Sequence, residues 1–341
     1  MLCAIAGDKP DRVPVSPFGL GHLDPRGAVA TELIEKTDPF ISSGIGGNAF
    51  MGTRLHTESR VEGADTITSI STPRGELTQR YRRTEITGYT VEFPCQNAED
   101  VEKYLSIPFE RAIPDVSAFL QRREEIGEEG LVLAGMADAI CLPATILSPE
   151  DLCLLYMDAP DLLQHLVDTA ATRVEAFVHA ACAQGVDAYR IIGGEYATEQ
   201  LGPRGFDDLV LEQDRRLVEI MHGYGAIAYY HNHGYVERYL ERFLALGIDA
   251  LDPLEVPPYG NVDLADAKAR LAGRVCIVGG LDDMEVMETL DTETVCAMGR
   301  RCLEMAGPDG YCLAGTASGT YGERAARNFI ALVDVVREYA S

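Results

Sequence analysis

The chain has 341 residues, of which 46% are hydrophobic and 24% charged, so it is long enough to bury a sizeable core. Its 54 acidic and 29 basic residues give a formal net charge of −25, which argues against a surface that follows nucleic-acid phosphates or an anionic membrane. The start of the chain lacks the pattern of a signal peptide, and no run of about 18 apolar residues occurs, so we expect a soluble cytoplasmic protein. The nine cysteines are scattered along the chain, which predicts reduced thiols.

The first part of the chain is less regular than the rest. The segment RVPVSPFG near the start predicts a first strand. Residues 55–110 are rich in Thr, Arg and Glu, and the segment TPRGELTQRY alternates around a turn signal, which favours antiparallel strands. We interpret this region as an irregular or β excursion from a single domain that covers residues 1–341.

From residue 130 onward, short apolar runs alternate with helical segments. The predicted strands are GLVLAGMADAI, DAYRIIGG, AIAYYHNHG, IDALDPLEV, RVCIVGGLDD and GYCLAGTAS. The predicted helices are a long one beginning after Ser148, others at about 206–223, 235–246, 263–272 and 291–306, and a closing one in GERAARNFIALVDVVREYA. At least six such units predict an α/β protein with a (β/α)8 TIM barrel. A doubly wound open sheet is the rival, but no G-x-G-x-x-G joins a strand to a helix.

The sharpest local pattern is His231-Asn232-His233-Gly234, which ends a predicted strand. In a barrel of this kind, catalytic groups lie at the carboxyl ends of strands. Residues two apart on a strand face the same side, so both imidazoles can converge on one point and form half of a zinc site. The alternative is two histidines that bind substrate or each other without metal, and the spacing alone does not decide between the two.

Taken in order, several segments resemble the uroporphyrinogen decarboxylase superfamily, which includes the zinc-dependent methyltransferases that serve corrinoid proteins. The segments that carry the resemblance are GDKPDRVPV, TPRGEL, SPEDL, GGEYATEQLGPRGFDDLVLEQ, YHNHG, GIDALDPLEVPPYGNVDLADAK, VGGLDD and RNFIALVDVV. Together they cover nearly the whole chain. The resemblance implies a (β/α)8 barrel with its site at the mouth.

The sequence departs from the decarboxylases of that superfamily. Their RQAGRYLPEY and FSDIL segments are missing, and the first predicted strand leads instead into SPFGLGHLDPRG. A tetra-anionic porphyrinogen needs basic contacts for its carboxylates, so uroporphyrinogen is not the expected substrate. In the methyltransferases, zinc is typically held by an H-x-C pair and a late cysteine. Here His231 and His233 match the pair, and Thr316 stands at the late position, which resembles a demethylating branch with H-x-H.

Two acids compete for the third ligand position. Glu195, in IIGGEY, ends the preceding strand and serves either as a zinc ligand or as a carboxylate that orients a histidine. Glu255, in PLEVPP, ends the following strand and is the rival. Cys312 lies four residues before Thr316, which is roughly 13 Å of strand, so we predict that it belongs to the core.

Other strand-end residues complete the predicted site. The candidate catalytic residues are Glu195, Asp282 and His22; the candidate substrate-binding residues are Glu255, Tyr196, Tyr230, Asp138 and Thr316; the candidate metal ligands are His231, His233 and Glu195. For several of them a structural role is the alternative. The acids can bind backbone amides at a helix start, His22 can be a solvent-exposed loop residue, and the tyrosines can be packing residues.

These observations favour a zinc-dependent methyltransferase that moves a methyl group from a small donor, for instance a methoxylated aromatic compound, to a corrinoid (cobalamin) carried by a partner protein. A histidine and carboxylate donor set makes zinc a harder Lewis acid, which suits an ether or an amine as the leaving group. The alternatives are a carboxy-lyase of the same family and a non-catalytic metal-binding or partner-binding relative. The sequence does not decide whether the protein forms a homodimer. No nucleic-acid or membrane partner is expected.

Overall fold

The computed structural model describes residues 1–85, 87–271, 273–316 and 318–340. Within these residues, seven parallel strands form one sheet and four antiparallel strands form a second. The strands are β1 (Phe40–Ser43), β2 (His56–Glu62), β3 (Asp65–Thr72), β4 (Gly75–Arg83), β5 (Gly88–Glu92), β6 (Leu131–Ala137), β7 (Ala188–Ile192), β8 (Ile227–His231), β9 (Ala250–Leu254), β10 (Cys276–Gly280) and β11 (Tyr311–Ala314).

Helices connect the strands of the parallel sheet. They are α1 (Leu2–Ile5), α2 (Ala28–Lys36), α3 (Ala98–Leu105), α4 (Ser117–Ile126), α5 (Cys141–Ile146), α6 (Pro149–Asp158), α7 (Pro160–Cys182), α8 (Gly194–Gln200), α9 (Gly202–Leu209), α10 (Leu211–Gly223), α11 (Leu240–Leu246), α12 (Leu264–Leu271), α13 (Thr292–Ala306) and α14 (Glu323–Ala340). A 3-10 turn covers Glu237–Tyr239, and a π turn covers Asp283–Met287. In the described part of the chain, no helix is both long enough and apolar enough to cross a bilayer.

The parallel sheet has the strand order β1-β6-β7-β8-β9-β10-β11. Consecutive parallel strands need crossover connections, and here helices supply them, as the alternating sequence pattern predicts. Alternate residues of the strands face two different cores. The larger one packs strands against helices, and the smaller one, which includes Phe40, Tyr229 and Cys312, lies on the other face of the sheet. Cys312 is fully buried there, which confirms its predicted place in the core.

The predicted first strand forms two isolated bridges instead of a continuous ladder. Val15 pairs in parallel with Leu313 on β11, and Phe18 pairs in parallel with Phe40 on β1. Pro14 and Pro17 have no N–H to donate to a neighbouring strand, which explains why the pairing is interrupted. The α/β fold with a half-barrel parallel sheet is therefore established, whereas the predicted complete ring of eight strands is not.

The antiparallel sheet occupies residues 56–92, inside the region 55–110 that the sequence predicts to be an irregular or β excursion from the single domain. Its order is β2-β3-β4-β5, and Thr72 pairs with Gly75 across the Pro73-Arg74 turn. This turn explains the alternation seen around TPRG. The whole of β2 is exposed to solvent.

The long helix predicted after Ser148 is two helices. The Ser148 hydroxyl accepts a hydrogen bond from Asp151 N at 3.0 Å, so the start was predicted correctly. Pro160 begins α7 and interrupts the helix after Ala159, because proline cannot donate the hydrogen bond that would continue α6. Similarly, the helix predicted at 206–223 is divided into α9 and α10 at Val210.

Asp38 fastens the first segment to β1. Its carboxylate accepts hydrogen bonds from Arg12 Nη1 at 2.6 Å and from Val15 N at 3.1 Å, while Asp38 N donates to Val15 O at 2.8 Å. We predict that Asp38→Ala lowers the free energy of unfolding by about 2–3 kcal/mol, because a partly buried guanidinium and an N–H lose their acceptor. Urea denaturation measures this. The control Asp11→Ala, which removes an exposed contact to Arg12 N, should change stability by less than about 0.5 kcal/mol.

Candidate functional site

His231 ends β8 and is held from both sides by charged residues on neighbouring strands. Its Nδ1 lies 2.7 Å from Arg190 Nη2 and 3.0 Å from Asp252 Oδ1. The register explains the arrangement, since Ile192 pairs with His231 and His231 pairs with Asp252. Arg190, two residues before Ile192, points to the same face as His231. Asp252 is fully buried, and 15% of the Arg190 side chain is exposed.

His233 follows strand β8, and the carboxylate of Glu255 lies beside its imidazole. Its Nδ1 lies 3.4 Å from Glu255 Oε1, and Glu255 Oε2 accepts a hydrogen bond from Gly234 N at 2.9 Å. Burial acts to lower the pKa of His233, but the hydrogen bond and charge of Glu255, together with the charges of Asp252 and Glu195, outweigh it, so the pKa is raised. The two imidazoles are edge to face, with ring centroids 4.5 Å apart. The structure thus brings the imidazoles of His231 and His233 next to each other.

Glu195 lies in the first turn of α8, where its Oε2 accepts a hydrogen bond from Gly193 N at 3.0 Å. Its negative charge contributes to the raised pKa of His233, which places it in the same electrostatic environment. Across the described ranges, however, no three His, Cys, Asp or Glu side chains are arranged to hold a metal ion. Among the described residues, the structure therefore places the two imidazoles side by side without a third side chain of these types that would complete a metal site.

Asp138 and Tyr230 belong to a buried polar cluster on the helix side of the sheet. The Tyr230 hydroxyl donates to Asp214 Oδ2 at 2.7 Å, and all three side chains are inaccessible or nearly so. Burial, together with the charges of Asp214 and Glu195, raises the pKa of Asp138 well above its ordinary value. Burial likewise raises the pKa of Asp214 to about 7, although the hydrogen bond from Tyr230 opposes the shift.

The glycines of the GGEY segment serve this buried cluster. Gly193 has a φ of 137°, and a Cβ added there would collide with the Asp138 carboxylate. A Cβ on Gly194 would collide with the Tyr230 hydroxyl. At these two positions the close approach is to the protein's own side chains.

The residues predicted after the last two strands divide between structural and cavity-lining positions. Asp282 Oδ1 accepts from Met284 N at 2.9 Å, so it caps the turn that follows it. The next residue, Asp283, is buried and accepts from the Ser318 hydroxyl at 2.7 Å. Thr316 is buried and, with Glu255 and Asp282, lines a cavity of about 110 Å³.

The remaining predicted residues lie at the edge of the site. His22 is exposed in the loop after the first segment, and its backbone N donates to Tyr321 O at 2.8 Å. Tyr196 is half-buried on α8 and lines a different cavity, together with Gln79 and Phe93 from the region of the antiparallel sheet. Neither residue has a side-chain hydrogen bond to the two imidazoles in the described structure.

Two residues that hold His231 were not predicted. Arg190 and Asp252 sit inside strands read as apolar, AYRII and ALDPL. A charged residue within an otherwise apolar strand was the available signal, because such a residue is buried only when it is paired. Asp214, on α10, gave no comparable signal, since acids are ordinary on a helix surface.

The fold is TIM-barrel-like, a parallel sheet with histidines and acids at the carboxyl ends of its strands. Residues 49–339 match the sequence profile of the family described as uroporphyrinogen decarboxylase (URO-D). The chain belongs to the uroporphyrinogen decarboxylase family, as its motifs predicted. A comparison with curated proteins gave no match.

Solved structures share this fold. One is a methyltransferase from Methanosarcina mazei, with a TM-score of 0.65 and 14% identity over 100% of this chain and 98% of that one. Another is a B12-independent methionine synthase from Shewanella sp. W3-18-1, with a TM-score of 0.50 and 13% identity over 84% of this chain and 77% of that one. At these identities the likeness establishes the fold alone.

The buried acids give a pH-dependent prediction. Because the pKa of Asp214 is raised from 3.8 to about 7, the folded protein binds more protons than the unfolded chain between those values, and stability falls as pH rises through this window. Asp214→Asn removes the ionisation while keeping an oxygen acceptor for Tyr230. We expect the variant to gain stability over the natural protein, by the order of a few kcal/mol, on going from pH 4 to pH 7.

Thermal or urea unfolding across this pH range measures the gain. The control Asp207→Asn should have the opposite sign, because hydrogen bonds from Arg242 lower the pKa of Asp207. Its contribution to stability is present above its unfolded pKa and lost in acid, so the control variant should be the less stable protein at pH 7. Parallel pH profiles for the natural protein and Asp214→Asn would contradict the prediction.

Proposed function

We propose that this protein is a methyltransferase that passes a methyl group from a small donor to a corrinoid protein, with zinc held by His231 and His233. The family and the methyltransferase fold support a methyl-transfer reaction in general terms. The observation that carries the zinc proposal is that each imidazole has a carboxylate facing its Nδ1, Asp252 for His231 and Glu255 for His233.

A carboxylate behind a histidine is the usual support of a metal ligand. When Nδ1–H donates to the carboxylate, the other ring nitrogen, Nε2, keeps a lone pair for the metal. Asp252 and Glu255 can each play this role for one ring. We assign the third position to Glu195, whose charge already acts on His233.

The reaction that we propose conserves atoms and charge. For a methyl ether, the O–CH3 bond breaks with its electron pair remaining on oxygen, which takes up a proton to become a hydroxyl. The methyl group bonds to the reduced Co(I) of the partner's corrinoid, which supplies the electron pair and becomes Co(III). When bound, zinc supplies Lewis acidity to the departing oxygen or nitrogen.

The chain's own residues orient the donor and exclude water. Glu255, Asp282 and Thr316 border the 110 Å³ cavity, and we assign the donor to this space. A larger cavity of about 290 Å³ shares Val256, Pro257, Gly280 and Met298 with it, so a bulky donor could extend outward. His22, on the loop after the first segment, and Tyr196, on α8, are proposed as further contacts.

The proposal includes a closed (β/α)8 barrel around this site. The segment that contains Val15 and Phe18 is the eighth member of the ring, because it bridges β11 on one side and β1 on the other. Phe18 also contributes directly to the site, since its ring lies 4.2 Å from the Arg190 guanidinium carbon.

Metal analysis tests the zinc site. We expect about one zinc per chain in the natural protein and a loss of most of it in His231→Ala and in His233→Ala, because each change removes one of the two imidazoles. The matched control is His165→Ala, an exposed histidine on α7, which should keep its zinc. Equal zinc in all four proteins would exclude this site.

Incubation with reduced cobalamin tests the reaction. The zinc-loaded protein, supplied with methyl ethers or methylamines, should produce the absorption spectrum of methyl-cobalt, and His231→Ala should lower the rate at least about 100-fold. Absence of the methyl-cobalt spectrum with every donor, while zinc is bound, would favour the alternative of a carboxy-lyase, for which the family match is the supporting observation.

A further inference from the structure

We infer that two copies of this chain pair through strand β2 and form a homodimer with one continuous antiparallel sheet. The strands of the sheet in one copy join those of the other copy across a two-fold axis, with Ser59 opposite Ser59. The surface that makes this contact is the outer edge of His56–Glu62. The contact involves neither the metal site nor the reaction proposed above.

The outer edge of β2 has no neighbouring strand among the described residues. The sheet order is β2-β3-β4-β5, so β2 pairs with β3 on one side only. All seven residues of β2 are exposed. The strand contains no proline, and its pairing with β3 has no bulge, although prolines and bulges are devices that usually protect an edge from another chain. The edge is therefore a regular template for one more strand.

Alternate residues of β2 point their backbone N–H and C=O groups at this free edge. Arg83 N donates to Ala64 O at 3.0 Å, so every second residue of β3 counted from Ala64 points its backbone groups at β4, and the residues between them point at β2. Their partners on β2 are the even-numbered residues. The groups that point outward therefore belong to Thr57, Ser59 and Val61.

The side chain of Ser59 supports this assignment. Its hydroxyl lies 2.9 Å from the hydroxyl of Thr68, the residue opposite it on β3. In an antiparallel ladder, side chains are closest in the pairs that do not exchange backbone hydrogen bonds. Ser59 is thus one of the residues whose backbone groups are not used by β3.

A two-fold axis beside Ser59 satisfies these outward groups. Ser59 then faces Ser59, and Thr57 faces Val61 of the other copy, so outward groups meet outward groups. Each of these pairs can exchange both of its backbone hydrogen bonds. The contact is isologous and closes on itself, so it yields a dimer and leaves no free β2 edge for a third copy.

The same axis places opposite charges together. The pairs between the hydrogen-bonded ones, in which side chains come closest, are Glu58 with Arg60 and His56 with Glu62. Arg60 Nε donates to Glu62 of its own strand at 2.8 Å, which leaves the Nη groups of Arg60 for Glu58 of the other copy. This local complementarity matters because each copy carries a net charge of −25, which opposes association.

The neighbouring registers lack this complementarity. An axis beside Arg60 sets Arg60 against Arg60 and Glu58 against Glu62. An axis beside Glu58 sets Glu58 against Glu58. Like charges directly opposite each other destabilise a strand pair. A register shifted by a single residue sets outward backbone groups against inward ones and loses their hydrogen bonds. The sequence of β2 therefore selects the axis beside Ser59.

Sedimentation velocity of the natural protein tests the dimer. One strand from each copy is a small contact, so we expect a reversible equilibrium of monomer and dimer with a dissociation constant of roughly 1–100 µM. The sedimentation coefficient should therefore rise with protein concentration across this range. A protein that stays monomeric throughout the range contradicts the inference.

Two variants assign the dimer to β2. Ser59→Pro removes the central outward N–H, and proline is accepted at an edge position whose N–H faces solvent. Arg60→Glu sets like charges opposite each other. Each change should raise the dissociation constant at least about tenfold. The matched control Arg83→Glu makes the same change of charge on the inner strand β4 and should dimerise like the natural protein.

Circular dichroism establishes that these variants are folded. Ser59→Pro and Arg60→Glu proteins that are folded and dimerise as tightly as the natural protein would show that another surface forms the dimer, which overturns the inference. An Arg83→Glu protein that loses the dimer as fully as Arg60→Glu also overturns it, because total charge and not the β2 edge would then control association.

A mixture of two charge variants tests the register itself. In a homodimer, Glu58→Arg sets cations opposite each other and Arg60→Glu sets anions opposite each other, so each variant alone should be mainly monomeric. In the mixed pair, the cations of one chain face the anions of the other at these positions, and an equimolar mixture should form a heterodimer. A mixture of the two folded variants that stays monomeric excludes this register.

Discussion

Asp252 is a fully buried carboxylate beside the Arg190 guanidinium and the His231 imidazole. The arrangement of side chains at the carboxyl ends of β7, β8 and β9 depends on its charge. Burial acts to raise the pKa of Asp252, but the charges of His231 and Arg190 outweigh it and hold the pKa below its ordinary value. A buried charge of this kind is tolerated only when its partners are fixed. The parallel register fixes them, because it places β7, β8 and β9 so that all three side chains meet on one face.

Strand β8 separates two polar groups whose carboxylates have pKa shifts of opposite sign. His231 faces the charged group on the inner side of β8, whereas Tyr230 faces Asp214 on the helix side. Strand alternation makes this separation unavoidable for adjacent residues. On the helix side, burial raises the pKa of the acids and favours their neutral forms; on the inner side, cationic neighbours favour the ionised carboxylate. The inner group is therefore the one in which the carboxylate pKa is lowered.

The parts of the structure that could be predicted from the sequence are those that depend only on residues close together in the chain. His231 and His233 share a face because a strand has a period of two, and Ser148 begins a helix because its hydroxyl satisfies a free N–H. Arg190 and Asp252 could not be paired in advance, because their meeting depends on the register between strands that are far apart in sequence. The interrupted first segment could have been predicted from Pro14 and Pro17, which cannot donate to a ladder.

Glu195 is the proposed third ligand, and a local turn fixes one of its two carboxylate oxygens. Gly193 N donates a hydrogen bond to Glu195 Oε2, and at Gly193 there is no room for a Cβ beside the Asp138 carboxylate. A carboxylate has a second oxygen, so Oε1 can be offered to a ligand while the bond to Gly193 is kept. Gly193 and Gly194, which lie close to Asp138 and Tyr230, therefore also limit the positions that the Glu195 carboxylate can take. In the proposed site, a carboxylate fixed in this way would lose little conformational entropy on binding, which favours Glu195 over an acid on a free loop.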